Sequence, residues 1–111
     1  MENDSFHNNI NFAIADEIIE YAQLISKERF TKGTWGNISV LDGEYIYITP
    51  SGQPYNKLKR EDICVLKRDG TIVYAKNKPS SETALHVKIY ESRNDVKAIL
   101  HTHPIYSTIV S

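Results

Sequence analysis

Between residues 10 and 30 the chain reads INFAIADEIIEYAQLISKERF, and Ile14, Ile18, Tyr21, Ala22 and Ile25 recur at intervals of three and four. Asp16, Glu17, Glu20 and Lys27 fall largely elsewhere. This spacing predicts a helix over about 10–29 that lays one apolar stripe on a core. After the glycine-bearing loop TKGTWGN (31–37), the pattern changes to short β-rich runs. ISVLDGEYIYIT reads as a hairpin whose arms flank Asp42-Gly43, a pair suited to a two-residue turn. ICVLKRDGTIVYA (63–75) repeats the device around Asp69-Gly70, and the segment between them, TPSGQPYNKL (49–58), is rich in turn residues. Ser80 or Ser81 is placed to cap a second helix over 80–92, with Leu85, Ile89 and Ala84 as its apolar side. VKAILHTH (96–103) reads as a buried strand, and Pro104 suits the first position of a further helix, PIYSTIVS. The expected order is helix, four short strands, helix, strand and the start of a helix: a mainly antiparallel sheet covered by helices.

Composition narrows the class. The 111 residues suit one domain; 41% are apolar and 24% charged, ordinary for a globular protein. Thirteen basic against fourteen acidic side chains give a net charge of −1. That balance offers no electrostatic footprint for nucleic acid or an anionic membrane. No apolar run approaches the roughly 18 residues of a membrane span, and the polar start MENDSFHNN has no leader pattern. Residues 1–9 read as a loose polar tail. The single cysteine, Cys64, excludes an intrachain disulfide, fits a reduced cytoplasmic setting and reads as a small buried residue.

Three clusters could carry chemistry. His101 and His103 are i and i+2 on a strand, so both imidazoles point to one face, a bite for a zinc-type ion. Taken alone, the same pair is more often the mark of two hydrogen-bonded histidines at a strand end. Glu82, in the first turn of the helix before that strand, adds a carboxylate; two histidines and a carboxylate form a zinc set with room for substrate. His86, four residues on and on the same helical face, reads either as a supporting partner to these ligands or, the preferred reading, as a merely buried histidine. Finally GTWGN, TPSG and PSSE offer backbone N–H groups, hydroxyls and an amide without bulk, which suits a phosphate.

Taken in order, GTWGNIS, ITPSG.PY..L, KPSSE...H..IY and AILHTHP resemble the class II aldolase/adducin family from residue 10 to the C-terminus. The resemblance implies an α/β/α domain around a mixed, mainly antiparallel sheet, and a homotetramer with active sites at subunit interfaces. It implies a phosphorylated sugar as substrate, with Glu82, His101 and His103 holding zinc or another divalent metal. Thr34, Asn37, Ser51, Gly52, Ser80 and Ser81 match the phosphate-binding positions, and Glu82 also matches the acid/base. The activity implied is retro-aldol cleavage of a ketose 1-phosphate such as L-fuculose 1-phosphate to dihydroxyacetone phosphate and an aldehyde. Ribulose-phosphate 4-epimerases share the pattern but typically carry SSD where this chain has Ser80-Ser81-Glu82, which leans toward the aldolase.

The chain departs from the family in length. Family domains are about twice as long, and both a third histidine ligand and a tyrosine proton donor are expected after the HTH pair. Residues 10–111 therefore read as the N-terminal portion of such a domain. The alternative from a different class is a non-catalytic, adducin-like interaction module.

Overall fold

The computed structural model describes residues 10–27, 36–102 and 107–110. Helix α1 spans Phe12–Lys27 and is followed by β1 (Gly36–Asp42), β2 (Tyr45–Ile48), β3 (Cys64–Lys67) and β4 (Ile72–Tyr74). Helix α2 covers Thr83–Ser92, and strands β5 (Ala98–Thr102) and β6 (Ser107–Val110) complete the order. The six strands form one sheet in the order β4-β3-β2-β1-β5-β6, and every neighbouring pair is antiparallel.

Helix α1 covers one face of the sheet. Ala15, Ile18, Ala22 and Ile25 are buried against Ile38, Tyr47 and Val65. Ala15 belongs to this stripe, whereas Tyr21, expected in it, is 53% exposed. Each fully buried aliphatic side chain is worth roughly 1.5–3 kcal/mol, so this stripe anchors the helix. On the opposite face Leu41, Ile46, Ile48, Cys64, Leu66, Val96 and Ile99 form a second core with Tyr90 of α2. Two layers of helix around a sheet follow, as expected.

Both hairpins form. In the first, Asp42 pairs with Tyr45, so the loop residues are Gly43-Glu44, one position later than Asp42-Gly43. Gly43 takes φ 60, the left-handed region that a glycine enters without penalty. In the second, Asp69 Oδ1 accepts the Thr71 N–H at 2.9 Å and Gly70 takes φ 96.

Two expectations are corrected. Residues 107–110 are a strand, not a helix: β6 pairs with β5 from His101↔Ser107 to Ala98↔Val110. Thr108, Ile109 and Val110 are β-branched, and an open edge of β5 gives them ladder partners that a two-turn helix would lack. Helix α2 buries the expected side only in part: Ile89 packs on the second core. Leu85 is 45% exposed and Ala84 is exposed, while His86 and Tyr90 are fully buried. They lie one turn apart, and the sheet beneath offers a polar partner to both. Residues 1–9, read as a tail, lie outside the described residues. Among the described residues, no helix is long and apolar enough to cross a membrane.

Candidate active site

Alternation along β1 sorts its side chains. Ile38 packs in the core under α1, while Leu41 belongs to the core under α2. Asn37 and Ser39 share the Leu41 face, and both are buried. The β1–β5 register places Asn37 directly opposite His101 and Ser39 opposite Ile99. Directly opposed residues of an antiparallel pair lie side by side on one face. Asn37 and His101 are therefore neighbours on the face that α2 covers.

Glu82 arrives from the helix. It occupies the N-cap position of α2, with φ −100 and ψ 16, and the helix starts at Thr83. Neither Ser80 nor Ser81, the two residues expected to cap, holds that position; Ser80 acts earlier in the turn, where its Oγ accepts the Glu82 N–H at 3.2 Å. Its carbonyl accepts both the N–H and the hydroxyl of Thr83, at 3.1 and 2.7 Å. This turn aims the Glu82 carboxylate back over β5, where Oε1 meets Nδ1 of His101. Both atoms are buried.

A carboxylate oxygen and an imidazole nitrogen brought to one point are the donor types that zinc and similar ions take. The pair fits two corners of such a site. His103 lies outside the described residues, and among the described residues no group of three His, Cys, Asp or Glu converges.

The small polar turns are drawn together by the backbone. Thr49 and Ile38 are joined twice: the Thr49 N–H donates to the Ile38 carbonyl at 3.1 Å, and the Ile38 N–H donates to Thr49 Oγ1 at 3.2 Å. The Ser80 N–H donates to the Thr49 carbonyl at 3.1 Å, and the Ser51 N–H donates to the Lys78 carbonyl at 2.8 Å. A bridge between Pro50 and Pro79 completes the seam. The start of β1 with Asn37, the turn with Ser51 and Gly52, and the turn with Ser80 and Ser81 thus become one cluster beside Glu82. Gly52 holds φ 72 in open space. Thr34 lies outside the described residues.

Beneath this cluster is a buried polar chain. His86 Nδ1 lies 2.6 Å from Ser39 Oγ, which lies 2.8 Å from the Tyr90 hydroxyl. On its other side, His86 Nε2 hydrogen-bonds to Asn37 Oδ1. Burial, and then the neighbouring His101, pull the His86 pKa down to about 4, against the opposing pull of Glu82. It is neutral at physiological pH. His86 is buried as expected, but Ser39 and Tyr90 were not among the expected site residues. Their signal was present as Asn37-x-Ser39 at strand period and His86-x-x-x-Tyr90 at helical period. Cys64 is fully buried, and burial pushes its thiol up to about 12, so it is inert packing.

In this α/β/α domain a carboxylate–imidazole pair whose contacting atoms are buried thus lies at the edge of a polar turn cluster, at the seam of helix and sheet. The family model described as Class II Aldolase and Adducin N-terminal domain matches residues 16–111, and the chain belongs to that family. An L-fuculose phosphate aldolase of Methanococcus maripaludis is 40% identical over 95 residues, covering 86% of this chain and 52% of that protein. An L-ribulose-5-phosphate 4-epimerase of Salmonella paratyphi B is 38% identical over 77 residues, covering 68% of this chain and 34% of the epimerase. A solved L-fuculose 1-phosphate aldolase superposes with a TM-score of 0.82 at 36% identity, over 87% of this chain and 47% of that one. The chain spans about half the length of the aldolase relatives it matches.

Proposed function

We propose that this chain carries the metal- and phosphate-binding part of a zinc-dependent sugar-phosphate aldolase. The reaction is retro-aldol cleavage of a ketose 1-phosphate such as L-fuculose 1-phosphate, giving dihydroxyacetone phosphate and an aldehyde. The observation that carries the reading is the meeting of Glu82 with His101 beside Asn37, at the edge of the joined turns 49–52 and 78–82. The aldolase relatives support the reaction type.

Glu82, His101 and His103 would hold the metal. When bound, the ion supplies Lewis acidity at the ketose carbonyl, stabilising the charge that develops as the C–C bond breaks. The chain's own groups do the rest. Asn37, Ser51, Gly52, Ser80 and Ser81, with Thr34, offer N–H and hydroxyl donors to the phosphate, fixing the reacting carbons at Glu82. As the C–C bond breaks, the hydroxyl of the carbon that becomes the aldehyde loses its proton, and the Glu82 carboxyl delivers one to the carbon released by cleavage, so that the exchange balances. In this reading the enzyme is a cytoplasmic homo-oligomer.

The test begins with zinc. The purified chain, titrated calorimetrically, is expected to bind one equivalent, and Glu82→Gln and His101→Ala each to weaken it about 10-fold or more, the scale on which zinc-site substitutions act. No binding, or binding indifferent to both substitutions, would point instead to an interaction module without a metal. A coupled assay for dihydroxyacetone phosphate reads the cleavage itself. The second reading, 4-epimerisation of a ribulose phosphate, rests on the epimerase relative. Conversion of L-ribulose 5-phosphate in place of cleavage would establish it.

A further inference from the structure

We propose that His86 is a positioning residue. As the neutral Nε2–H tautomer, it turns the Asn37 side chain so that the amide N–H2 faces the phosphate subsite. The inference rests on the reading of Asn37 as a phosphate-binding residue, and deepens it.

An asparagine presents either two donors or an acceptor to a ligand, depending on which way its amide is turned. The two arrangements fill the same space. Only the first suits an anion. Asn37 is 4% exposed and held at its inner edge by His86 alone among the hydrogen bonds described for its side chain. Whichever nitrogen state His86 adopts therefore fixes what Asn37 offers outward.

The buried chain has two self-consistent polarities. In one, the Tyr90 hydroxyl donates to Ser39 Oγ, Ser39 donates to His86 Nδ1, and Nε2–H donates to Asn37 Oδ1. In the other, Nδ1–H donates to Ser39, Ser39 donates to Tyr90, and Asn37 is flipped so that its N–H2 donates to Nε2. All four groups are buried, so a mixed arrangement would leave a donor facing a donor and cost the desolvation of both. The structure turns Asn37 Oδ1 toward His86 Nε2, the arrangement that the first polarity requires. That polarity leaves the Asn37 donors on the side away from His86. His86 also sits one helical turn beyond Glu82 on α2. The helix that delivers the carboxylate therefore orients the amide as well, and one element sets both halves of the site.

The experiment uses the full chain and inorganic phosphate and dihydroxyacetone phosphate as probes. Long-range 1H–15N spectra of the histidine rings are expected to show His86 with a protonated Nε2 and a bare Nδ1; a protonated Nδ1 overturns the inference without recourse to any variant. Phosphate affinity is then compared in three substitutions. His86→Gln keeps a donor near the Nε2 position, and His86→Asn keeps only the end near Nδ1. Asn37→Ala removes the amide. Asn37→Ala and His86→Asn are expected to bind about tenfold more weakly, the scale of one hydrogen bond, with His86→Gln close to the parent. An Asn37→Ala variant that binds like the parent removes the phosphate reading itself. If Asn37→Ala loses affinity and His86→Asn does not, the phosphate reading stands and the positioning role fails. Equal losses in both His86 variants would mean that the imidazole acts by packing, which also overturns the proposal.

Discussion

The two faces of β1 are built by opposite means. Toward α1 the strand presents Ile38 to Ile18, Ala22 and Ile25, a contact made of interchangeable apolar area. Toward α2 it presents Asn37 and Ser39, whose partners His86 and Tyr90 must sit at fixed angles to be satisfied at all. The first face supplies stability that tolerates small errors of placement. The second supplies orientation, at the risk that any lost partner leaves a buried polar group stranded. The candidate site lies on the second face. Groups that must meet a ligand at set directions are held there by neighbours that are themselves directional.

Ile18→Ala removes a fully buried side chain at the centre of the α1 contact. It should cost about 3 kcal/mol of stability, read by urea denaturation. Zinc affinity of the folded fraction should be unchanged; a loss of zinc binding would mean that the two faces are not independent.

A nearly equal effect should appear on the polar side through pH. His86 titrates near 6.5 when unfolded and is pulled down to about 4 in the fold, chiefly by burial. A histidine depressed in this way contributes its full stability above about pH 6.5. The contribution shrinks as pH falls through that window and is gone below about pH 4. Its size is about 3 kcal/mol, from the linkage of one group shifted by this amount. Stability of the parent should therefore fall more steeply between pH 6.5 and 4 than that of His86→Gln, which has no proton to take up. Parallel profiles would show that His86 is not held neutral by the fold.

The two faces also differ in how readily the sequence discloses them. Helix α1 was legible because its stripe is apolar and periodic, and both hairpins because Asp-Gly pairs interrupt β-rich runs. The apolar expectation then misled on α2. Leu85 faces outward, and the buried residues are His86 and Tyr90, because the surface beneath carries the polar Ser39 beside the aliphatic core that Tyr90 joins. Residues 107–110 failed for a related reason: a short apolar segment takes its structure from the edge it meets, here β5. Glu82 and His101 could be paired from sequence, since a helix start and the next strand's end are local neighbours. The Asn37–His101 pairing could not, because it needs β1 and β5 to be adjacent across more than sixty intervening residues.

Within the polar face, Ser39→Ala tests whether the network is the unit. The substitution removes a hydroxyl and leaves both His86 Nδ1 and the Tyr90 hydroxyl without their partner. About 2 kcal/mol should be lost, less than at Ile18 but large for so small a change in volume. Ser39→Ala combined with Tyr90→Phe should cost less than the sum of the two, because the second change removes a group that the first had already stranded. Additive costs in thermal or urea denaturation would argue that the groups act separately.

The smallest effect is expected at Gly52, where direction is set by the backbone alone. The turn 49–52 is pinned by the Ser51 N–H on the Lys78 carbonyl, and Gly52 completes it at φ 72. A Cβ there would meet nothing within 4 Å, so the penalty of Gly52→Ala is conformational, not steric crowding by neighbours. It should amount to about 1 kcal/mol, the cost of placing an alanine in the left-handed region. Gly52→Asn should recover part of it, since asparagine enters that region more readily. Thermal melts of the three proteins give the order Gly above Asn above Ala. If alanine and asparagine melt together, the backbone of this turn relaxes out of the left-handed region when a side chain is added. The seam between residues 49–52 and 78–82 would then be softer than the buried chain beneath it.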